Sequence, residues 1–450
     1  MPPFPRRALL VSAGCALVAG CSPSGRAGAV HELRVEHVRS LLRRRADALL
    51  AGDLAAAAVP VLTRTAAERD LLRLRDGRAA AARPLELAAD VTALTAPRTG
   101  PGGGVGASAH VVLRSRLPGE GRTATAAAVL GLRRDGERWW LAPGPVDGPV
   151  QPWEVGALEV REVPGGAVVL VRTGAPAAGA TAGATTGATT GAVTDAVTDV
   201  VAAVAADVGA DLADAAARAG AAWGADPPRA AVLVAADAAA AARLAGTSEQ
   251  RAALVDALTT GGRHDLPGGR RGAARVVVQA GRFAGLTRTG RRVVLTHELV
   301  HVATRAGGST DPAAPRWLAE GYADVVARAG RGLDPRALAE PVLRDLGAGG
   351  AVDVPADEDF TGGPGESTGD AALQRAHAAA WTLVASTARH HGLPALTALH
   401  RRLNAADRPA TASAREALLA AAWREHLGEE PVDALARWRR DLDDRLAGWV

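Results

Sequence analysis

The chain has 450 residues and a formal net charge of +4, and it contains no lysine, so its strongly basic side chains are all arginine. The missing lysine excludes a phosphate-binding loop that depends on lysine, a Schiff-base enzyme and a serine–lysine dyad. The small net charge does not favour a nucleic-acid partner. The arginine-rich segments 43–45 and 437–440 fall within helical patterns and are interpreted as solvated faces rather than as a binding surface. The length allows two or three domains with cores of their own.

Residues 1–20 have the pattern of a secretory signal, in which two arginines precede a short apolar run that ends in small residues. That run is too short to cross a bilayer as a mature helix. Cys21 directly follows Ala-Gly, which resembles a bacterial lipobox and implies cleavage before Cys21 and lipidation of its thiol. We therefore expect an extracytoplasmic protein anchored to the cell membrane by lipid, with 21–29 as a lipidated tether. An ordinary signal peptide with an incidental cysteine is the alternative.

Residues 30–150 are predicted to form helices followed by an antiparallel sheet. Apolar residues at spacings of three and four predict a helix within 31–62. Short apolar runs separated by turn residues predict strands at 85–94, 110–117, 124–132 and 139–141. Helices followed by a curved antiparallel sheet resemble the cone-shaped domains of the nuclear-transport-factor-like superfamily, which is the fold expected here.

The next region, 155–330, begins with a predicted strand at 168–171 and an insertion, 174–192, that repeats Gly-Ala-Thr-Thr. This composition cannot bury a core and predicts a flexible segment, with an O-glycosylated stalk as the alternative. A helix at 193–222 and buried strands at 231–235 and 275–279 are predicted to follow. Residues 331–450 are predicted to be helical apart from a loop at 347–369, which is either a flap or a plain connector. The expected fold class is α+β.

One motif carries most of the chemical information: residues 297–301 read His-Glu-Leu-Val-His, and Glu320 follows within a second apolar segment. On a helix, His297 and His301 stand one turn apart and can bind one Zn²⁺ ion. Glu298 projects beside them, where it can take a proton from a water bound to the metal. Glu320 would be the third ligand and leave the fourth position open. Loss of Cys15 with the signal and lipidation of Cys21 would leave no thiol as a competing ligand.

The motif and its spacing to a Glu-Gly pair resemble the gluzincin metallopeptidases, and more narrowly the peptidase MA-like domains of bacterial envelope proteins. The resemblance implies one zinc ion held by His297, His301 and Glu320, with Glu298 as the general base. It also implies that Asp324 orients a ligand histidine through that histidine's other ring nitrogen. The strand at 275–279 is expected to form the rim of the cleft, where an extended peptide can pair with its edge, so that 275–283 would bind substrate mainly through backbone groups.

Two features depart from the family pattern. Met1 is the only methionine, so the Gly-Ala-Met-Glu-Asn strand of related aminopeptidases is absent. Tyr322 is the only tyrosine, and its helical position faces away from Glu320, which argues against a tyrosine that stabilises the oxyanion. His377, on a later apolar helix, is the replacement suggested for that catalytic role; a core or surface histidine with no such role is the alternative.

The predicted function is therefore a membrane-anchored zinc peptidase that hydrolyses a peptide or protein substrate. A second hypothesis is a non-catalytic envelope lipoprotein that binds a ligand or partner through its N-terminal domain, with a decayed or regulatory zinc domain. A third is a serine hydrolase, because residues 365–369 match Gly-x-Ser-x-Gly. The third is disfavoured because a loop rich in Gly, Pro and acidic residues precedes this match, where a buried strand would be needed.

Overall fold

The computed structural model describes residues 33–99, 104–143, 150–172, 189–260, 272–306, 308–309, 311–360, 370–447 and 449. The predicted signal, Cys21, most of the insertion 174–192 and the Gly-x-Ser-x-Gly segment lie outside these residues. Within the described ranges, every helix is either too short or too polar to cross a membrane. The described chain is a mixed α+β structure with a curled antiparallel sheet and a helical C-terminal region.

The first part of the chain forms helices and an antiparallel sheet in the strand order β1-β3-β4-β5, with β2 also paired to β3. Its elements are α1 (Val35–Leu50), α2 (Leu54–Ala58), α3 (Ala66–Ala81), β1 (Glu86–Leu94), β2 (Arg98–Thr99), β3 (Val105–Arg116), β4 (Ala124–Asp135), β5 (Arg138–Leu141) and α4 (Pro152–Val155). The helix predicted across 31–62 is divided in two. The division occurs at Gly52, whose φ is +73°, and at Asp53, whose carboxylate caps α2 by accepting from the N–H of Ala56.

The middle of the chain forms a second sheet with the strand order β6-β7-β8-β10-β9. Its elements are β6 (Ala157–Val163), β7 (Gly166–Arg172), α5 (Thr189–Trp223), β8 (Ala230–Ala235), α6 (Ala238–Ala245), α7 (Glu249–Leu254), β9 (Ala257–Thr259), β10 (Val276–Gln279), α8 (Ala280–Ala284), α9 (Arg288–Arg305) and α10 (Arg316–Arg328). Strands β7, β8 and β10 are parallel, and the two edge strands run antiparallel to their neighbours. The parallel strands are buried, which explains their continuous apolar sequences.

The expectation that the strand at 275–279 forms the rim of the cleft was wrong. Strand β10 is hydrogen-bonded on both sides, to β8 and to β9, so its backbone has no free edge for a peptide. Helix α8 follows directly after this strand. Strand β9 is the outermost strand on this side, and its residues line the cleft described below.

The C-terminal region is helical, as predicted, and its helix α13 packs against α10. Its helices are α11 (Pro335–Leu338), α12 (Glu340–Gly347), a 3₁₀ turn (Asp357–Phe360), α13 (Asp370–His391), α14 (Leu393–Ala405), α15 (Ala412–Leu427) and α16 (Pro431–Asp443). Trp438 lies in the core, and its indole N–H donates to the hydroxyl of Thr382 at 3.0 Å. Helices α9, α10 and α13 share one large apolar core.

A buried ion pair connects the loop after β3 with the segment that enters β10. Nε of Arg275 lies 2.6 Å from Oε1 of Glu120, and Nη2 lies 3.0 Å from Oε2. The side chain of Arg275 is 8% exposed and that of Glu120 is 1% exposed. In the same loop Gly119 has a φ of +81°, and a Cβ there would lie 2.5 Å from the carbonyl oxygen of Gly166. The two sheets are therefore in close contact at this loop.

Candidate metal centre

Helix α9 carries three of the predicted site residues, His297, Glu298 and His301. The helix begins after Thr287, whose hydroxyl accepts a hydrogen bond from the backbone N–H of Gly290 at 3.1 Å. The two histidines are four residues apart, and their Nε2 atoms lie 3.1 Å from each other. The side chains that hold the helix in the core are Leu295, Leu299, Val300, Val302 and Ala303. Apolar packing thus fixes which face of α9 carries the histidines.

Helix α10 brings Glu320 to the same point. Its Oε2 atom lies 3.2 Å from Nε2 of His297 and 3.2 Å from Nε2 of His301. The next residue, Gly321, lies against α13, and a Cβ there would lie 2.5 Å from the carbonyl oxygen of Ala380. Only glycine allows the two helices to approach this closely, and this approach sets where Glu320 meets the histidines.

The spacing of these three atoms suits a single metal ion. Tetrahedral zinc with bonds of 2.0–2.1 Å places its ligand atoms about 3.3–3.4 Å apart, and the three atoms here are separated by 3.1, 3.2 and 3.2 Å. Nδ1 of His297 lies 3.0 Å from a carboxylate oxygen of Asp324, which can only accept, so Nδ1 carries the hydrogen. In the neutral imidazole the lone pair is then on Nε2, where a metal ion would bind in place of a proton, as the resemblance implies.

The charges of Glu320 and Asp324 favour a cation at the point where the three proposed ligand atoms meet. Burial lowers the pKa of His297, but hydrogen bonds and charge from Asp324 and Glu320 outweigh burial and hold it well above its ordinary value. Burial raises the pKa of Glu320, yet the two histidines bring it well below its ordinary range. The pKa of Asp324 is also lowered, because Arg328 and His297 outweigh the effect of burial. Both carboxylates are therefore ionised, as metal binding requires.

Glu298 lines the same cleft as the three proposed ligand residues and is held by a residue from β9. The hydroxyl of Thr259 is 2.5 Å from Oε2 of Glu298 and 3.0 Å from the backbone carbonyl of the same residue. The Glu298 side chain lines the cleft even though the residue is largely buried. One carboxylate oxygen of Glu298 is thus held by β9, and the other remains available to accept a proton.

His377 enters the site from α13. Its Nδ1 lies 3.7 Å from the second carboxylate oxygen of Asp324, and its ring packs edge-on against Phe360. Its centroid is 6.1 Å from that of His297. Tyr322, in contrast, is in the core, where its hydroxyl donates to the carbonyl of Ala222 at 2.8 Å. Its position agrees with the expectation that it faces away from the site.

All six site residues predicted within the described chain line one open cleft with a volume of about 870 Å³; they are His297, Glu298, His301, Glu320, Asp324 and His377. A second group within the described chain, His390, His391 and Glu429, could also hold a metal. Arg437 donates to both carboxylate oxygens of Glu429, at 2.7 and 2.9 Å, and so already neutralises that ligand. The cluster on α9 and α10 is therefore the stronger candidate.

Comparison of the chain with protein-family models, with curated proteins and with solved structures finds no match.

Sequence reasoning missed two kinds of residue in this cleft. Thr259 carries no signal, because a threonine in a three-residue strand is recognisable only after the strand has paired. The arginines of the cleft were also missed, among them Arg251, Arg305 and Arg316. Arg305 had a usable signal, since it ends the helix that carries the His-Glu-Leu-Val-His motif.

Proposed function

We propose that this chain is an extracytoplasmic zinc metallopeptidase of the gluzincin type. The proposal assigns a nuclear-transport-factor-like fold to 30–150 and a gluzincin-like catalytic fold to 155–330, with the helical part 331–450 completing the peptidase region. Lipidation of Cys21 would anchor the protein to the membrane. The observation that carries the proposal is the convergence of His297, His301 and Glu320 beside an open cleft.

The chain supplies the residues that such a hydrolysis needs. His297, His301 and Glu320 would hold a zinc ion, which would supply a Lewis acid that lowers the pKa of the attacking water. Glu298 accepts the proton of the attacking water and passes it to the leaving amine. Thr259 holds Oε2 of Glu298, so that the carboxylate keeps one orientation during both transfers. Asp324 fixes the tautomer of His297.

Strand β9 gives the substrate a place to bind. It is the edge strand beside the cleft, and its residues Ala257, Leu258 and Thr259 line the cleft. An extended peptide can add to such an edge through backbone hydrogen bonds, which favour any peptide irrespective of its side chains. The peptide would then pass Glu298, because Thr259 contacts this residue directly.

The test is the zinc content and peptidase activity of the full chain, purified in detergent. We expect one zinc ion per chain in the wild type, loss or weakening of zinc binding in Glu320→Ala, and cleavage of a mixed peptide library that Glu298→Gln abolishes with zinc retained. Asp353→Ala is the matched acidic control, since Asp353 is strongly exposed. A wild-type chain without zinc, or cleavage unaffected by Glu298→Gln, would overturn the proposal.

A second candidate function rests on a cavity in the N-terminal part. This cavity, of about 180 Å³, is lined mainly by apolar side chains, including Leu42, Leu72 and Leu113. Two ion pairs border it, Arg45 with Asp76 and Arg75 with Glu154. Such a cavity suits a small apolar ligand with a polar end. Binding of an environment-sensitive apolar dye, abolished by Ala46→Trp and unaffected by Glu298→Gln, together with zinc retention and no hydrolysis, would favour this function.

A further inference from the structure

The cleft around the metal centre contains five arginines and five carboxylates. The arginines are Arg251, Arg282, Arg305, Arg316 and Arg328, and the carboxylates are Asp256, Glu298, Glu320, Asp324 and Glu340. These charges are balanced in number but not in position. Which of them are already paired decides what the cleft can bind.

Two of the arginines have carboxylate partners within the cleft. Nε of Arg282 lies 3.0 Å from Asp256, and Nη2 of Arg328 lies 3.2 Å from Asp324. A third carboxylate, Glu340, is held from outside the cleft, since Nε of Arg344 donates to it at 2.7 Å. These partnerships leave two carboxylates, Glu298 and Glu320, and both belong to the metal centre.

Arg251, Arg305 and Arg316 remain, and in the described part of the chain none of their guanidinium groups lies within ion-pair distance of a carboxylate. Asp357 accepts from the backbone N–H of Arg316 at 2.8 Å, but its ion pair is with Arg408. All three side chains are partly buried. Burial lowers the pKa of Arg251 and of Arg305, and the charge of Arg316 adds to this effect on both. Glu320 opposes it on both, and Glu298 opposes it on Arg305. All three guanidinium groups line the cleft that contains Glu320, and Arg316 is close enough to repel each of the other two.

Arg305 links this cluster to the proposed path of the substrate. Its Nη1 donates to the backbone carbonyls of Thr259 and Thr260, at 2.8 and 3.2 Å. These carbonyls lie at the carboxyl end of β9, the rim strand. The guanidinium is thus fixed at one end of the edge along which an extended peptide would lie, and it retains donors that can face a ligand.

From this arrangement we infer that the cleft selects a peptide with a carboxylate next to the bond to be cleaved, bound by Arg251, Arg305 and Arg316. A bound metal ion would neutralise the charge of Glu320 and add positive charge beside the three arginines. A substrate carboxylate is therefore the group that the cleft lacks. The carboxylate can be an acidic side chain or the free C-terminus. This inference rests on the proposed function in taking the ligand to be a peptide.

The test compares peptides that differ only in this group. Peptides found to be cleaved by the full zinc-loaded chain are resynthesised with Glu or Gln at each position beside the cleaved bond, and with a C-terminal acid or amide. We expect kcat/KM to be about 10- to 100-fold higher for the matching acid, as a charge-assisted hydrogen bond implies. The preference should decrease as ionic strength rises. The Glu/Gln series tests recognition of an acidic side chain, and the acid/amide series tests recognition of the free C-terminus.

Variants of the cluster connect the preference to these residues. Arg251→Gln and Arg316→Gln should each reduce the ratio of acid to amide kcat/KM by about tenfold or more. Arg305→Gln should do the same, but it also removes two hydrogen bonds from the end of β9, so the other two variants keep the test valid if it misfolds. Arg161→Gln is the matched control, because Arg161 forms an exposed ion pair with Glu159 on β6; it should leave the ratio unchanged.

A binding measurement separates this inference from the proposed hydrolysis. The dissociation constants of the same acid and amide peptides are measured for the zinc-loaded Glu298→Gln chain, which should bind without cleaving. Tighter binding of the acid that is lost on substitution of Arg251 or Arg316 supports the inference, even if the wild type hydrolyses nothing. Equal binding and equal cleavage of acid and amide overturn it, and zinc-dependent hydrolysis would then still support the peptidase.

Discussion

Gly321 lies so close to Ala380 that a Cβ on the glycine would be 2.5 Å from the carbonyl oxygen of the alanine. This contact joins α10 to α13 immediately after Glu320. The carbonyl is a backbone group in the middle of a helix and cannot rotate away, so the contact sets the distance between the two helices. The position of a proposed metal ligand therefore depends on a neighbour with no side chain.

The first prediction is that Gly321→Ala displaces α10 and weakens the metal site. Overpacking of this kind destabilises a protein by about 1–3 kcal/mol, and we expect zinc affinity to fall by more than tenfold because Glu320 moves from the histidines. Gly77→Ala is the matched control: Gly77 is also within a helix, and a Cβ there would meet nothing within 4 Å beyond its own helical turn. Chelator competition and denaturant unfolding would measure both quantities. An unchanged zinc affinity in Gly321→Ala would contradict the prediction.

The second prediction concerns the hydrogen bond between Asp324 and His297. Asp324→Ala removes the acceptor for Nδ1 of His297, and loss of such a partner typically lowers metal affinity by about 10- to 100-fold. Asp324→Asn keeps an acceptor oxygen but removes the charge, so its loss should be smaller. Zinc affinity measured by chelator competition should rank the wild type first, Asn second and Ala last. Equal affinities for the wild type and Asp324→Ala would show that the hydrogen bond does not orient a ligand.

The third prediction is a large stability loss on breaking the buried pair of Glu120 and Arg275. Glu120→Gln leaves a buried guanidinium without its counter-charge, which costs about 3–5 kcal/mol. The exposed pair of Glu159 and Arg161 provides the control, and Glu159→Gln should cost less than about 1 kcal/mol. The free energy of unfolding in urea tests both. The prediction fails if the two variants lose similar amounts.

The fourth prediction concerns the acid stability of the C-terminal helices. Arg437, by hydrogen bonding, and then His391 lower the pKa of Glu429 from its ordinary 4.5 to about 2. A lowered pKa means that the folded state favours the ionised form, so this stabilisation is complete above pH 4.5 and is lost as the pH falls towards 2. We expect Glu429→Gln to cost about 1–3 kcal/mol at neutral pH. The difference from the wild type should shrink between pH 4.5 and 2; a constant difference would rule out this carboxylate as its source.

The sequence predicted best those residues of the proposed site whose positions follow from local helix geometry. His297 and His301 are fixed by helical spacing alone, and Glu320 lies on the next helix of the chain. Strand β9 was not predicted, because a run of three residues becomes a strand only by pairing with β10, which follows a separate segment of chain. The rim was consequently assigned to the wrong strand. The prediction of the rim failed because β9 forms only by pairing with a strand that is distant in the sequence, which residue type alone does not indicate.

Helix α3 was also absent from the predicted elements, although its sequence contains a start signal. Thr65 and Glu68 form a capping box, in which each side chain accepts from the other's backbone N–H. The apolar periodicity of Ala66–Ala81 is weak because charged residues and small residues occupy much of the helix. The cap was therefore the better signal, and periodicity alone could not find this helix.

Tyr322 gives the protein a built-in optical reporter. It is the only tyrosine in the chain, and burial raises its pKa to about 12. An unfolded tyrosine ionises near pH 10, so between these two values tyrosinate absorbance arises mainly from chains in which α10 has left the core. The phenol therefore stabilises the fold up to about pH 10, and this contribution is lost as the pH rises towards 12. The helix that carries Glu320 can thus be followed through its opening without any added label.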